Sequence, residues 1–293
     1  WKPEWRMWNN FEPHRATALS LDALANTHSI YAPVENAAQA TENFDAITYE
    51  KGAAVVRMLE QYLGAKSFRA GVQAYIRQHR ESNAVAADLW KALEKASGEP
   101  VAQIAKAWIE QPGFPLLTVE RGEKEAEGEL QVKQQRFLAS PSTRIPGEPL
   151  LWPVPLVLKL PGRGAAPKTH RALLKRARER VALPGGKLPP WYYGNAGESG
   201  FYRVAHDPEC LKTLAADPAA VLEAVERMGL LGNQWAIVRA GRAPIGSFMD
   251  LVAAFGQEQD HEVLEALAGP LAFIDDQIVE AAGPGTRSEL QEW

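Results

Sequence analysis

The pentapeptide Gln111-Pro-Gly-Phe-Pro115 divides the chain into two regions with different hydrophobic spacing. No helix continues through it, because proline lacks a backbone N–H and glycine disfavours the helical conformation. Before this break, apolar residues recur at the spacing of amphipathic helices. The predicted helices cover residues 15–25, 42–64, 67–80, 86–95 and 101–109. The first region is therefore expected to consist of helices.

After the break the spacing changes to that of short strands separated by Pro- and Gly-containing turns. The predicted strands cover residues 116–120, 130–134, 154–160 and 200–205, as in a small β-sandwich. Helices return from Pro208, at residues 211–216, 219–230, 233–240, 247–255 and 262–274. Paired helices that stack in this way form a superhelical repeat. The sequence predicts a multi-domain α+β protein with domains at 1–115, 116–207 and 208–293.

The composition limits the expected partners. A net charge of −4 over 293 residues does not favour nucleic acid or an anionic membrane as a partner. The basic stretch 171–180 lacks interleaved aromatic residues, so we interpret it as the solvent face of a strand.

The chain opens at Trp1 without a signal peptide, and we expect it to be a piece of a longer protein. Its alanine content is typical of a GC-rich bacterial gene. The sequence does not give the compartment; the bacterial cytoplasm is the first expectation, and the periplasm is the alternative.

Metal-binding motifs are missing from the sequence. Cys210 is the one cysteine, which excludes an intrachain disulfide and a cysteine-rich metal site. A helical zinc site of the His-Glu-x-x-His kind needs two histidines four residues apart with a glutamate between them, and no two of the six histidines have this spacing. His261 and Glu265 imitate the spacing, but Glu265 stands where the second histidine is needed. We interpret this pair as a solvated helix face.

The stretch Glu42–Glu60 has the pattern of an amphipathic helix. Its regularly spaced apolar residues are Ile47, Ala54, Met58 and Leu59. Thr41 or Asn43 is the expected N-cap. Two residues do not suit a simple packing helix. Gly52 costs about 1 kcal/mol relative to alanine and indicates the close approach of a backbone or ligand. Tyr49, taken alone, would be a half-buried aromatic residue with its hydroxyl in water.

Several ordered motifs resemble the M1 family of zinc aminopeptidases. Pro33-Val-Glu-Asn36 precedes Phe44-Asp-Ala-Ile-Thr-Tyr-Glu-Lys-Gly-Ala53, and Trp108-Ile-Glu-Gln-Pro-Gly-Phe-Pro115 follows in the family's order. Further on, Trp152-Pro-Val-Pro-Leu156 and Gly200-Phe-Tyr-Arg-Val204 are similar to the middle β-domain of the longer members. Residues 226–236 are similar to the start of the family's C-terminal helical domain.

The resemblance implies roles for two residues. Tyr49 matches the family's catalytic tyrosine, whose neutral phenol donates a hydrogen bond to the oxyanion of a tetrahedral intermediate. Phe44 matches a residue that lines the pocket for the substrate's N-terminal side chain. The implied fold is the helical second half of a thermolysin-like catalytic domain, then a small β-sandwich, then the start of an α-helical repeat domain.

The resemblance also implies that the chain is incomplete as an enzyme. In the family, the zinc ligands, the general-base glutamate and the glutamates that hold the substrate's amino group precede the stretch that opens this chain. Zinc is therefore expected in the parent enzyme, which removes N-terminal residues from peptides, and not in this chain. We expect the chain alone to be inactive.

Two other interpretations are open. The chain could be a standalone interaction module derived from an M1 peptidase, with a protein partner bound by its β-sandwich and helical repeat. Alternatively, a complementary chain could carry the missing N-terminal half, which predicts a large exposed apolar face on the first helical region. Glu50 and Lys51, which flank Tyr49, are interpreted as a surface ion pair.

Overall fold

A computed structural model of the chain describes residues 2–122, 128–140, 149–162 and 166–279. Up to Glu110 the described residues fold into helices, as their spacing predicts. These are α1 (Met7–Asp22), α2 (Ala37–Glu42), α3 (Gly52–Leu63), α4 (Ala65–Gln78), α5 (Ala86–Ser97) and α6 (Val101–Glu110), with a π-helical turn at Ile47–Lys51 directly before α3. The amphipathic helix predicted over residues 42–64 therefore comprises a π-helical turn followed by an α-helix.

Helix α1 begins at Met7, eight residues before the predicted start, and it continues through Pro13. Proline removes a helical hydrogen bond and is normally unfavourable at such a position. Buried side chains on both sides of Pro13, including Glu12, Arg15 and Leu19, hold this part of α1 against the rest of the molecule. The prediction was wrong because tertiary contacts outweigh a local preference here.

The strands form two sheets. The strands are β1 (Pro115–Arg121), β2 (Glu129–Arg136), β3 (Val154–Leu160), β4 (Lys168–Leu174), β5 (Arg178–Ala182) and β6 (Arg203–His206). One sheet has the order β5-β2-β1-β6, in which β1 and β6 are parallel, and β3 pairs with β4 in the other. The mixed helical and sheet architecture is confirmed. Its division into three domains, with a sandwich in the middle, stays a prediction.

The chain returns to helices after β6. These are α7 (Pro208–Ala216), α8 (Pro218–Val221), α9 (Ala224–Arg239), α10 (Ile245–Ala253) and α11 (His261–Phe273), followed by a π-helical turn at Ile274–Val279. Residues 224–239 form one helix, although the sequence predicted a break between two helices near Gly232. A Cβ atom on Gly229 would lie 2.1 Å from the Glu198 carboxyl carbon, so glycine allows this buried acid to approach α9.

Arg15 is the centre of a buried polar cluster that joins α1 to the segment before β6. Its guanidinium donates to both carboxylate oxygens of Glu12, at 2.7 and 2.8 Å, and to the Gly200 carbonyl oxygen at 2.7 Å. It also pairs with Glu198, whose carboxylate accepts a hydrogen bond from the Tyr193 hydroxyl. Burial raises the pKa of Glu198 to about 7; the Arg15 charge opposes this rise, and the Glu12 charge adds to it.

This pKa predicts that stability depends on pH through Glu198. The unfolding free energy is expected to fall as pH rises from about 4.5 to about 7, since folded Glu198 keeps a proton there that the unfolded chain loses near pH 4.5. The stabilisation is complete below this range and is lost above it. Glu198→Gln cannot titrate and should lack this part of the slope. Urea unfolding of both proteins across the range tests this, and equal slopes would contradict it.

Candidate active site

Tyr49 lies on the π-helical turn, with its side chain in solvent. Ile47 and Lys51, four residues apart, are buried and fix the turn at both ends. Tyr49, midway between them, is 56% exposed, and its hydroxyl makes no hydrogen bond within the described part of the chain. The Phe44 ring is 70% exposed and lies 5.7 Å from the Tyr49 ring, centroid to centroid. The two predicted site residues are therefore neighbours on one surface.

Asp45 caps the start of the turn that carries Tyr49. One carboxylate oxygen accepts a hydrogen bond from the Thr48 backbone N–H at 2.8 Å. The other lies 2.6 Å from Nε2 of His28, whose Nδ1 lies 2.8 Å from the Ser29 carbonyl oxygen. Both ring nitrogens of His28 thus face acceptors, an arrangement that only the protonated imidazolium satisfies completely. Thr41 and Asn43, the predicted caps, do not cap this turn.

The contacts of this pair shift the pKa values of both groups. Burial would lower the pKa of His28, but hydrogen bonds to Ser29 and Asp45 outweigh it and raise the pKa above 6.5. Burial would raise the pKa of Asp45, but hydrogen bonds from Thr48 and His28 lower it below 3.8. Between these two pKa values, the His28 imidazolium is positively charged and the Asp45 carboxylate is negatively charged.

A pH-dependent stabilisation of the Tyr49 turn follows from the raised pKa of His28. It should be complete below the unfolded pKa of 6.5 and lost as pH rises through the higher folded pKa. His28→Asn should remove this pH dependence, and amide hydrogen exchange at Thr48 and Tyr49 measures it locally. His261→Asn, in an exposed pair with Glu265, is the matched control. Unchanged pH dependence in His28→Asn would contradict the assignment.

Lys51 is wholly buried, so its interpretation as half of a surface ion pair was wrong. Its ammonium group lies 2.8 Å from an Asp22 carboxylate oxygen and donates to the Gly113 carbonyl oxygen at 3.0 Å. Burial lowers the pKa of Lys51, and the Asp22 charge opposes this effect. Glu50 is near His14 instead, 3.6 Å away. The ion pair of Lys51 ties the Tyr49 turn to the end of α1.

The Gln111–Pro115 segment braces the same turn from the other side. The Gly113 backbone N–H donates to Asp22 at 2.9 Å, so Asp22 joins Lys51 to this segment. Gly113 has a φ of 82°, and a Cβ atom there would lie 2.6 Å from Arg136 Nε, so glycine suits both the backbone and the space. Phe114 is buried between other aromatic rings. The motif that contains Tyr49 and Lys51 and the Gln111–Pro115 motif are therefore in contact through Lys51 and Asp22.

Two further sequence expectations concern this region. Asn36, in the Pro33–Asn36 motif, caps α2 by accepting a hydrogen bond from the Gln39 N–H at 3.0 Å. Among the described residues outside its own helix backbone and its chain neighbours, no atom lies within 4 Å of a Cβ placed on Gly52. No other backbone therefore approaches Gly52 closely there, and the alternative expectation, the close approach of a ligand, stays a prediction.

The residues that the structure describes do not fit the zinc ion that the resemblance implies for the parent enzyme. In the described ranges, no three His, Cys, Asp or Glu side chains are placed to hold a metal ion, whereas zinc sites use three or four such ligands. His261 and Glu265 lie 3.6 Å apart on the exposed side of α11. Over the same ranges, no helix combines the length and apolar character needed to cross a membrane.

Sequence reasoning singled out Tyr49 and Phe44, whose roles stay predictions, but it did not identify the residues that hold them. The preference for aspartate at N-caps could have identified Asp45, which lies three residues before Thr48. No local signal in the sequence shows that His28 contacts Asp45 or that Asp22 contacts Lys51, because each contact joins residues that are distant in the chain.

Both ends of the chain match known protein families. The Peptidase family M1 domain matches residues 1–108, and the ERAP1-like C-terminal domain matches residues 191–293. Aminopeptidase M1-A of Oryza sativa subsp. japonica is 36% identical over 289 residues, which is 97% of this chain and 32% of that protein. Tricorn protease-interacting factor F2 of Thermoplasma acidophilum is 31% identical over 258 residues, which is 88% of this chain and 30% of that protein.

Aminopeptidase M1 of Arabidopsis thaliana gives a similar result, with 36% identity over 279 residues, 90% of this chain and 30% of that protein. The chain thus spans about a third of the length of the curated relatives that it matches. The first matched region contains Phe44, Tyr49 and Lys51, and the second contains the helices from α7 onwards. Residues 1–108 therefore match the M1 peptidase family, and the chain as a whole is similar to about a third of the length of aminopeptidases of that name.

Proposed function

We propose that this chain is part of an M1 aminopeptidase and contributes Tyr49 to its active site. The main support is the setting of the Tyr49 phenol, which is exposed and has no hydrogen-bond partner in the described part of the chain. It lies on a turn that the buried residues Ile47 and Lys51 hold in place. A rigid support of this kind suits a group that must donate to an oxyanion without reorganising. Tyr49 would donate its hydroxyl proton in a hydrogen bond to the oxygen of the scissile carbonyl as negative charge develops there.

Phe44 is proposed to form part of the wall that receives the substrate's N-terminal side chain. Its exposed ring lies next to Tyr49, so a substrate carbonyl near the Tyr49 hydroxyl would bring the preceding side chain close to an apolar surface. Contact with an aromatic ring favours apolar over acidic side chains. The metal and the general base would come from another part of the protein, so the isolated chain is expected to be inactive.

The first helical region exposes several large apolar side chains. Its exposed large side chains include Trp5, Met7, Trp8, Tyr31, Val34, Phe44 and Tyr49. Extensive exposed apolar surface marks a binding site more often than a free face. We propose that the zinc-bearing part of the peptidase covers this surface and so places its metal opposite Tyr49.

Mixing the chain with a separately purified zinc-bearing part tests this proposal. The part of rice aminopeptidase M1-A that precedes the matched segment is a suitable source. We expect the two to associate in analytical ultracentrifugation and to hydrolyse an amino-acid anilide only when mixed. A Tyr49→Phe chain should associate equally well but give little activity. Failure of the two parts to associate would contradict the proposal that the zinc-bearing part covers this surface.

A second candidate function is that of an interaction module. One relative bears the name Tricorn protease-interacting factor F2, which favours a protein partner, and stacked helices suit such binding. This function requires neither the Tyr49 hydroxyl nor the zinc-bearing part. Activity of the mixed parts that depends on Tyr49 would favour the peptidase. Association without any activity would favour the interaction module.

A further inference from the structure

The turn that carries Tyr49 is held in different ways at its two ends. Lys51, at the end of the turn, is wholly buried against Asp22 and belongs to the core. At the start, Asp45 and His28 form a partly exposed pair, with 35% and 41% of their side chains accessible to solvent. Such a pair contributes little to overall stability. The start of the turn is therefore where the direction of Tyr49 can change while the fold persists.

Asp45 bonds to the backbone of this turn through two different acceptors. Its carboxylate accepts a hydrogen bond from the Thr48 N–H at 2.8 Å. Its backbone carbonyl oxygen accepts one from the N–H of Tyr49 itself, at 3.1 Å. A rotation of Asp45 would therefore move both the residue that carries the phenol and the residue directly before it. The orientation of Asp45 thus sets the direction in which the Tyr49 side chain leaves the turn.

His28 fixes the orientation of the Asp45 carboxylate from outside the turn. Its Nε2 lies 2.6 Å from the second carboxylate oxygen of Asp45, and its Nδ1 lies 2.8 Å from the Ser29 carbonyl oxygen. The loop that carries His28 is itself tied to α6, since the Tyr31 N–H donates to the Ile109 carbonyl oxygen at 2.9 Å. A connected set of contacts therefore runs from α6 through this loop to the start of the turn.

We propose that His28 is a positioning residue for the reaction and holds the Tyr49 phenol, through Asp45, in the direction of the developing oxyanion. This inference rests on the proposed function of Tyr49, because an oxyanion donor is effective only when it is oriented before the charge develops. A misplacement of about 1 Å can cost about 10²-fold in rate. A pair that contributes little to stability can therefore still matter for catalysis.

The protonation of His28 gives this role a pH dependence. Both ring nitrogens face oxygen acceptors, and a neutral ring donates from only one of them. Burial lowers the pKa of His28, but its hydrogen bonds to Ser29 and Asp45 and the charges of Asp45 on the turn and Asp22 on α1 outweigh burial and raise this pKa above 6.5. The contribution of His28 to kcat is therefore complete well below the raised pKa and is lost as pH rises through it.

Steady-state hydrolysis of an amino-acid anilide by the mixed assembly with the zinc-bearing part of rice aminopeptidase M1-A tests the proposal. His28→Ala should lower kcat by about three- to tenfold. KM should change little, because the bond to the oxyanion is made mainly in the transition state. His28→Gln should retain most of kcat, because its amide N–H can donate to Asp45 without titrating. His261→Gln, in the exposed pair on α11, is the matched control and should leave kcat unchanged.

The pH profile separates positioning from a merely structural role. The ratio of kcat for the unchanged assembly to kcat for His28→Gln should fall as pH rises through the pKa of His28, since only the unchanged protein loses a donor. Titrations elsewhere in the assembly affect both proteins equally and cancel in this ratio. A ratio that is independent of pH would overturn the proposal.

The outcomes also distinguish this proposal from the role of Tyr49. If Tyr49→Phe lowers kcat but His28→Ala does not, the positioning role of His28 is overturned and the function of Tyr49 stands. If Tyr49→Phe leaves kcat unchanged, both are overturned.

A measurement on the isolated chain keeps the test decisive if the two parts do not associate. The Phe44 and Tyr49 rings lie 5.7 Å apart, centroid to centroid, so nuclear Overhauser contacts report their relative position. These contacts should weaken in His28→Ala but persist in His28→Gln, while circular dichroism stays unchanged in both. Equal contacts in His28→Ala and the unchanged chain would overturn the proposal.

Discussion

Replacing Tyr49 with phenylalanine is expected to lower kcat by about 10²–10³-fold in an active assembly, because one oxyanion donor is lost. A suitable assembly is a chimera in which this chain replaces the matching segment of rice aminopeptidase M1-A. Phenylalanine keeps the ring, so its contact with Phe44 and the fold should persist. KM should change little, because the hydrogen bond is made mainly in the transition state. Steady-state hydrolysis of an amino-acid anilide measures both constants.

Tyr31→Phe is the matched control for this variant. Tyr31 is also an exposed tyrosine of the first helical region, but it lies outside the Tyr49 turn. Its variant should retain the kcat of the chimera. A Tyr49→Phe chimera with unchanged kcat would contradict the role of Tyr49, even if the chimera itself is fully active.

Asp22→Ala is expected to lower the unfolding free energy by about 3–5 kcal/mol, because it leaves the buried Lys51 ammonium without its counter-charge. It also leaves the Gly113 N–H without its acceptor. Since Lys51 ends the turn that carries Tyr49, the variant should loosen this turn as well. Urea unfolding measures the first effect, and amide hydrogen exchange at Tyr49 measures the second.

The pair formed by Glu120 and Lys133 provides a matched comparison at the surface. Its atoms lie 2.6 Å apart, but both side chains are substantially exposed. Lys133→Met should therefore cost only about 0–1 kcal/mol. The double variant Asp22→Leu with Lys51→Met removes both buried charges and should be more stable than Asp22→Ala alone. A cost for Asp22→Ala as small as that of Lys133→Met would contradict the bracing role of Lys51.

Much of this fold can be predicted from the sequence, because the spacing of apolar residues within a short segment indicates whether that segment is a helix or a strand. The spacing correctly separates the helical region before Gln111 from the sheet region after it, but β4 and β5 were not among the predicted strands, and the strand predicted at 200–205 begins only at Arg203. The predicted strand at 154–160 coincides with β3, every residue of which is buried. Local reasoning fails where tertiary contacts decide, as in the passage of α1 through Pro13 and the continuity of α9 past Gly229 and Gly232.

In the candidate site, too, the local motif could be recognised from the sequence, whereas the tertiary contacts could not. Tyr49 and Phe44 are recognisable because they belong to one short motif, and the structure brings them together. Lys51 belongs to that motif too, but local sequence cannot show that it is buried. Its partners, Asp22 and the Gly113 carbonyl, become its neighbours only when α1 and the Gln111–Pro115 segment fold against the turn.

Zinc analysis of the purified chain, together with an anilide assay in added zinc, tests the central claim most directly. The claim is that this chain supplies Tyr49 to a peptidase whose metal site lies elsewhere. We predict no stoichiometric zinc and no hydrolysis by the chain alone. One zinc ion per chain, with hydrolysis that Tyr49→Phe abolishes, would contradict the claim and would show that the chain carries a complete active site.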